Sequence, residues 1–287
     1  MKKILIIAVL CIAGLGFSFI HANETSKKLP WETLFNGKNL DNWIVKIRTH
    51  ELNDNFANTF RVEDGLMEVR YDGYDQFDQQ YGHIFYDKPF SNYLLQVEYR
   101  FVGEQANGGE GWAWRNSGAM LHCQDPKTML KDQDFPISIE AQFLGGNGTD
   151  KRSTCNLCTP GTNVKMEGKL FTPHCINSSS ETYSGDQWVV ANLIVLGNGD
   201  VYHLMGKDTV LTYSKPQIGG GNVSPSDPSI KVDGKMLDGG FISLQSESHP
   251  IDFRTVRILD LTKYLGDQKK LDEMVNEALD DKLPSSK

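Results

Sequence analysis

Residues 136–143, Pro-Ile-Ser-Ile-Glu-Ala-Gln-Phe, alternate strictly between apolar and polar, which places Ile137, Ile139, Ala141 and Phe143 on one face and Ser138, Glu140 and Gln142 on the other. A period of two fits an extended strand with one buried face and no helix. Residues 240–249 repeat the pattern, with Ser243, Gln245, Glu247 and His249 set against Ile242 and Leu244. Alternating or β-branched and aromatic runs recur at 59–70, 82–85, 93–102, 117–122, 187–196, 200–205, 209–213 and 251–259. About ten strands punctuated by Gly, Asn and Asp predict an all-β sandwich or barrel of two antiparallel layers. Helical spacing is confined to a short stretch at 126–131 and to 268–279, where Leu271, Met274, Val275 and Leu279 share a face. The Gly-rich segment 219–225 is flanked by strands that could not stand alone, so it reads as a long loop within a single domain over 23–287, with a helical tail from about 262.

The chain opens with Lys2 and Lys3, an apolar run over 4–20 and Ala22, the pattern of a cleaved export signal over 1–22. Cys11 lacks the small residues that a lipidation site wants just ahead of it. The expected destination is the periplasm or cell surface, with no membrane span once the signal is removed. A net charge of -8 and the lack of a basic stripe exclude nucleic acid as a partner. Beyond the signal, Cys123, Cys155, Cys158 and Cys175 make an even set, which in an exported chain reads as two disulfides with three connectivities open. Closure of the loop between them favours Cys158 with Cys175, leaving Cys123 with Cys155. The alternative is a zinc site drawing also on His122 and His174.

Two strands that each present a polar row with a carboxyl would line a cleft suited to a hydroxyl-rich ligand such as a sugar. Glu140, flanked by isoleucines, needs a partner, a metal or a solvent-filled cleft, because an unpaired buried carboxylate is costly. Gln142 and Gln245 would orient a ligand or the carboxyls. Glu247 and His249 stand where a strand ends, a position from which acid–base groups reach a ligand. Asn116, Gly118, Met120 and His122 share a face, so Asn116 could bind a hydroxyl and Gly118 could let a ligand approach the backbone. Trp112 and Trp114 are two residues apart and are expected to face the same way, for stacking on sugar rings. Arg254 could hold the Glu140 carboxylate or a sugar oxygen. Asp72, Asp75 and Asp78 recur every third residue but match no defined calcium loop and read as solvated turns. His83, His174 and His203 carry no pattern beyond core or surface placement.

The opening phrase Leu-Phe-Asn-Gly-Lys-Asn-Leu-Asp-Asn-Trp at 34–43, Asn116-Ser117-Gly118, Glu140-x-Gln142, and Gly240-x-Ile242-x-Leu244-Gln245 running on to Phe253-Arg254 together resemble the 3-keto-disaccharide hydrolase family. The match spans Leu34 to Leu261. The resemblance implies a concanavalin A-like jelly-roll sandwich, export, and action on glycosides, often those bearing a 3-keto sugar. The Glu140 strand lacks the Glu-x-Asp-x-x-Glu pattern of ordinary retaining glycosidases of that fold. Since a 3-keto group acidifies the hydrogen at C2, the expected reaction is proton removal by His249 or Glu247, elimination of the aglycone and addition of water. The rival course is direct hydrolysis with Glu140 as acid. A carbohydrate-binding module of the same fold, working through Trp112, Trp114 and the polar rows, is the reading from another class. No cofactor is required by either reading, and a divalent metal is left open.

Overall fold

The computed structural model describes residues 28–284, so the export signal expected over 1–22 lies outside the described residues. The chain folds into two antiparallel sheets of ten and seven strands packed face to face as a jelly-roll sandwich. In the larger sheet the long strands Asn92–Phe101, Val189–Leu196 and Ile251–Asp260 lie side by side at the centre. In the smaller sheet the order is Cys175–Ile176, Asn156–Cys158, Ile139–Leu144, Asn116–Cys123, Phe241–Ser246, Gly82–Tyr86 and Trp43–Ile47.

The alternation seen in the sequence decides which face each residue occupies. Ile139, Ala141, Phe143, Ala119, Leu121, Ile242 and Leu244 join the core between the sheets, where they meet Leu95, Val97, Tyr99 and Phe253 from the opposite layer. Their neighbours in sequence therefore point away from the core. A second apolar cluster lies on that outer face, where Phe85, Met120 and Cys123 pack under Met129. The loop after Cys123 thus folds back over part of the smaller sheet and leaves the rest open as a cleft.

The run at 59–70 is two strands, Phe60–Glu63 and Leu66–Val69. The turn between them is Asp64-Gly65, with both residues at positive φ (49° and 80°), the two-residue hairpin geometry that Asp-Gly adopts readily. The stretch at 126–131 shrinks to a single 3-10 turn, Pro126–Thr128. The strand Trp43–Ile47 and the short pieces between Asn156 and Ile176 carry too little alternation to be legible in sequence. The C-terminal helix, Gln268–Asp280, is capped by Asp267, whose side chain accepts from the Lys270 amide. Its Leu271, Met274 and Ala278 pack on Leu94, Ile194, Leu204 and Leu259, on the outer face of the larger sheet and so on the far side of the sandwich from the cleft. Among the described residues no helix is long and apolar enough to cross a membrane.

Candidate active site

A cleft of about 450 Å³ opens over the smaller sheet, with Glu140, Gln142, Asn116 and Glu247 on its floor and Trp112 at its edge. The register explains the convergence. Glu140 lies opposite Met120, which lies opposite Ser243, so the strands of Glu140 and of Gln245 turn the same face outward. Gln142 lies opposite Gly118, and a Cβ at that glycine would come within 2.8 Å of Glu140 Oε1. Gly118 therefore makes room for the Glu140 side chain, and the open backbone expected there is already filled.

Glu140 is buried and its carboxyl has no ion pair among the described residues; burial pushes its pKa up to about 8. Glu247 is raised well above the ordinary carboxyl range by burial first, then by the nearby charges of Glu140 and Glu110. One Glu247 oxygen accepts from Gln245 Nε2 at 3.0 Å, and Oε2 is buried without a partner. Glu110 accepts from the Tyr81 hydroxyl at 2.9 Å. Asn116 presents a buried Oδ1 with no protein partner, while Gln142 Oε1 is engaged by Asn156 Nδ2 at 3.0 Å. Two neighbouring carboxyls that hold their protons into the neutral range, beside the unpartnered Asn116 Oδ1, can exchange a proton with a bound hydroxylated ligand.

Several residues singled out in sequence fall elsewhere. His249 does not line the cleft: its ring packs edge-on to Trp114 at 5.5 Å and to Phe101 at 5.8 Å, and both ring nitrogens are buried without partners. Burial and the neighbouring Arg115 lower its pKa to about 4, so the ring is neutral at pH 7. The backbone turn at Ser248, φ 85°, breaks the alternation that would have carried His249 to the cleft. Trp112 and Trp114 do not face the same way, because a 3-10 turn, Gly111–Ala113, replaces the strand geometry. Trp112 is exposed at the cleft edge, whereas Trp114 packs edge-on to His249 and against the guanidinium groups of Arg115 and Arg152. Arg254 belongs to the other sheet, where its fork grips the buried Glu98 carboxyl and lies 4.2 Å from the Trp188 ring, so it cannot hold Glu140. His122 takes a positive φ of 51° and its Nε2 donates to Gly197 O at 3.1 Å, away from the Asn116 row.

Cys158 and Cys175 are joined by a disulfide across directly paired strand positions, as expected. Cys123 and Cys155 are not joined: both are buried free thiols, with Cys123 on the outer face beside Ser243 and Cys155 in the core. The sheet layer separates them, so loop closure was no guide to their pairing. The disulfide and His174 form one wall of the cleft. These three residues are the one group among the described residues whose Cys, His or carboxyl ligand atoms cluster closely enough for a metal. The disulfide occupies both sulfurs, and a thiolate is what zinc requires. Glu140, Glu247 and Asn116 Oδ1 are the oxygen donors of the floor from which a hard divalent cation would draw. Asp72 is tied to Arg61 at 2.8 Å and forms no cluster with Asp75 and Asp78.

Sequence reasoning missed Glu110, Asp134 and Phe135, and gave His174 no role beyond the alternative zinc site. The first approaches Glu247 electrically and the others line the cleft. Each comes from a loop that only the fold brings over the sheet; for His174 the adjacent Cys175 was a usable signal. His203, by contrast, is a satisfied core histidine, bonded to Cys155 O at 2.9 Å and to the Tyr213 hydroxyl at 3.0 Å.

Among solved structures, a Parabacteroides distasonis protein named as a candidate glycosyl hydrolase aligns at 17% identity over 80% of this chain and 99% of its own, with a TM-score of 0.48. A Bacillus subtilis protein of unknown function with a galectin-like fold aligns at 11% identity over 80% and 94%, TM-score 0.49. A Bacillus licheniformis beta-glucanase aligns at 12% identity over 80% and 97%, TM-score 0.44. No curated protein matches in sequence. The model of the 3-keto-alpha-glucoside-1,2-lyase-like domain matches residues 30–259, which takes in both sheets and every residue of the cleft, and the chain belongs to that family.

Proposed function

We propose that this protein is an exported enzyme that cleaves glycosides carrying a 3-keto sugar, by elimination across C1 and C2. The observation that carries the reading is the pair of buried, neighbouring carboxyls, Glu140 and Glu247, on the floor of a cleft edged by an exposed tryptophan. Sugar binding alone needs amides and aromatic rings; two carboxyls held in a protonated or half-protonated state cost stability and suit proton transfer. The family supports a glycoside as ligand, and the Cys158–Cys175 disulfide supports an oxidising compartment.

The ketone at C3 makes the C2 hydrogen acidic. Glu140 in its ionised form takes that proton as base, and the electron pair moves into an enolate between C2 and C3. The enolate expels the C1 oxygen, which leaves as the aglycone alcohol with the proton of Glu247. An unsaturated 2-hydroxy-3-keto sugar remains, and water added across C1 and C2 gives the free 3-keto sugar. Gln245 fixes one oxygen of Glu247 and so aims the other. His249, neutral and packed edge-on to Trp114, takes no part in the reaction.

The test is incubation of the purified protein with p-nitrophenyl glycosides and their 3-keto derivatives, with phenolate release followed in the presence and absence of a chelator. Release from the keto sugars alone is expected. Sugar binding without release from any of them would replace the enzyme by a carbohydrate-binding module.

A further inference from the structure

The wall of the cleft holds a group that the proposed reaction does not use. Cys158 ends one short strand and Cys175 begins another, directly opposite each other with Cα atoms 4.1 Å apart, and His174 precedes Cys175. The two sulfurs and a ring nitrogen of His174 lie within 4.8 Å of one another. Cys158 is buried, whereas His174 and Cys175 are exposed.

Backbone ties hold this group together independently of the disulfide. The His174 carbonyl accepts from the Thr159 amide at 2.8 Å and from the Thr159 hydroxyl at 3.1 Å. Just beyond the strand Cys175–Ile176, the Ser178 amide donates to Asn156 Oδ1 at 2.9 Å and the Ser178 hydroxyl to Thr154 O at 2.6 Å. Both ends of that strand are therefore fastened to the chain around Asn156–Cys158. No hydrogen bond among the described residues engages the His174 ring, which leaves its nitrogens to the cleft side.

We infer that, once this disulfide is opened, Cys158, Cys175 and His174 bind a zinc ion in the wall of the cleft. Two thiolates and an imidazole are the soft and borderline donors that zinc selects. Zinc–sulfur bonds of about 2.3 Å at a tetrahedral angle set two sulfurs about 3.8 Å apart. The Cβ atoms of a bridged pair already stand roughly 3.8 Å apart, so a turn about each χ1 gives the sulfurs that spacing with the backbone in place. Opening starts at the exposed Cys175. A thiolate of an incoming dithiol attacks its sulfur, the S–S bond breaks, and Cys158 leaves as thiolate. The second thiol of the donor then displaces Cys175; the donor ends as a disulfide, and two electrons have passed to the cysteine pair. Zinc takes the place of the protons of the two thiols, which are released to solvent.

Three protein ligands leave a fourth position on the metal. All three residues line the cleft, and Glu140 stands directly opposite Cys158 on the next strand. The fourth position opens on the cleft, to water or to an oxygen of whatever ligand lies there, and the site holds whether or not that ligand is a glycoside.

The test uses the chain cleaved after Ala22, reduced with a phosphine, freed of the reductant without air and given zinc, with near-ultraviolet circular dichroism reporting the fold. The reduced protein is expected to keep one zinc through gel filtration and the oxidised protein none. Cobalt in place of zinc should give a thiolate-to-metal absorption band that is lost in Cys175→Ser. In reduced His174→Ala, zinc should bind more than about 100-fold more weakly, beyond what the loss of a neighbour that merely supports a ligand costs. Cys123 and Cys155 do not supply such a site, being buried in different layers. Zinc kept alike by the oxidised protein, undiminished affinity in His174→Ala, no zinc on the folded reduced protein, or loss of the fold on reduction would each overturn the site.

Discussion

Replacing Glu140 by glutamine should stabilise the protein at alkaline pH while removing its activity. The folded chain holds the Glu140 proton to about pH 8, whereas an ordinary glutamate releases it near 4.5. Between those values the folded state binds more protons than the unfolded state, so stability falls as pH rises, by at most about 1.4 kcal/mol per pH unit. The interval sets an upper bound of about 5 kcal/mol, and dielectric relaxation around the cleft brings the expected loss to about 2 kcal/mol. Glutamine has the same shape and no proton to lose. The variant should match the wild type within about 0.5 kcal/mol at pH 5 and exceed it by about 2 kcal/mol at pH 8.5. Its slope is reduced rather than abolished, because Glu247 is also raised by burial. Urea unfolding midpoints of both proteins across pH 5 to pH 9, roughly the window of this linkage, give the comparison. Parallel curves, or a variant less stable at pH 8.5, would refute the claim that Glu140 is held protonated by burial without a partner.

Trp112→Ala should raise KM about tenfold, the worth of one ring stacked on a sugar, and leave the thermal midpoint nearly unchanged because the side chain is 53% exposed; steady-state kinetics and a melting scan check both. In protein cleaved after Ala22, a thiol reagent should detect two cysteines, and only after unfolding, since Cys123 and Cys155 are buried and free. Reduction of Cys158–Cys175, which spans a sequence separation of 17, should lower stability by about 3 kcal/mol, read from urea midpoints with and without a dithiol. Arg254→Ala should cost about 3 kcal/mol by stranding the buried Glu98 carboxylate, with KM unaltered in whatever fraction stays folded; a raised KM would return Arg254 to the ligand.

How much of this was legible in the sequence depended on whether a residue sat inside regular strand. The rows through Glu140 and Gln245 followed from a period of two, and the register sets both rows on the outer face of the smaller sheet, with Glu247 near enough to feel the charge of Glu140. Alternation failed at the first residue with a non-strand backbone: Ser248 turned His249 away, and the 3-10 turn at 111–113 split the two tryptophans. Arg254 has strand alternation of its own, but no local pattern tells which sheet a strand joins, and its carboxyl partner proved to be Glu98. Cysteine pairing failed for the same reason, since the distance between Cys123 and Cys155 is set by layers and not by loop length. The loop residues that line and roof the cleft, Phe135 and His174 among them, are fixed by tertiary packing alone.

The central claim is proton removal at C2 by the carboxyl pair, and its most direct measurement is turnover of a 3-keto-glucoside deuterated at C2, beside the unlabelled compound, with product followed by proton NMR. The expected result is a slower reaction of the deuterated sugar, with cleavage lost in both Glu140→Gln and Glu247→Gln. Equal rates for the two isotopologues, with no exchange of the C2 hydrogen into solvent and activity surviving in both variants, would contradict it.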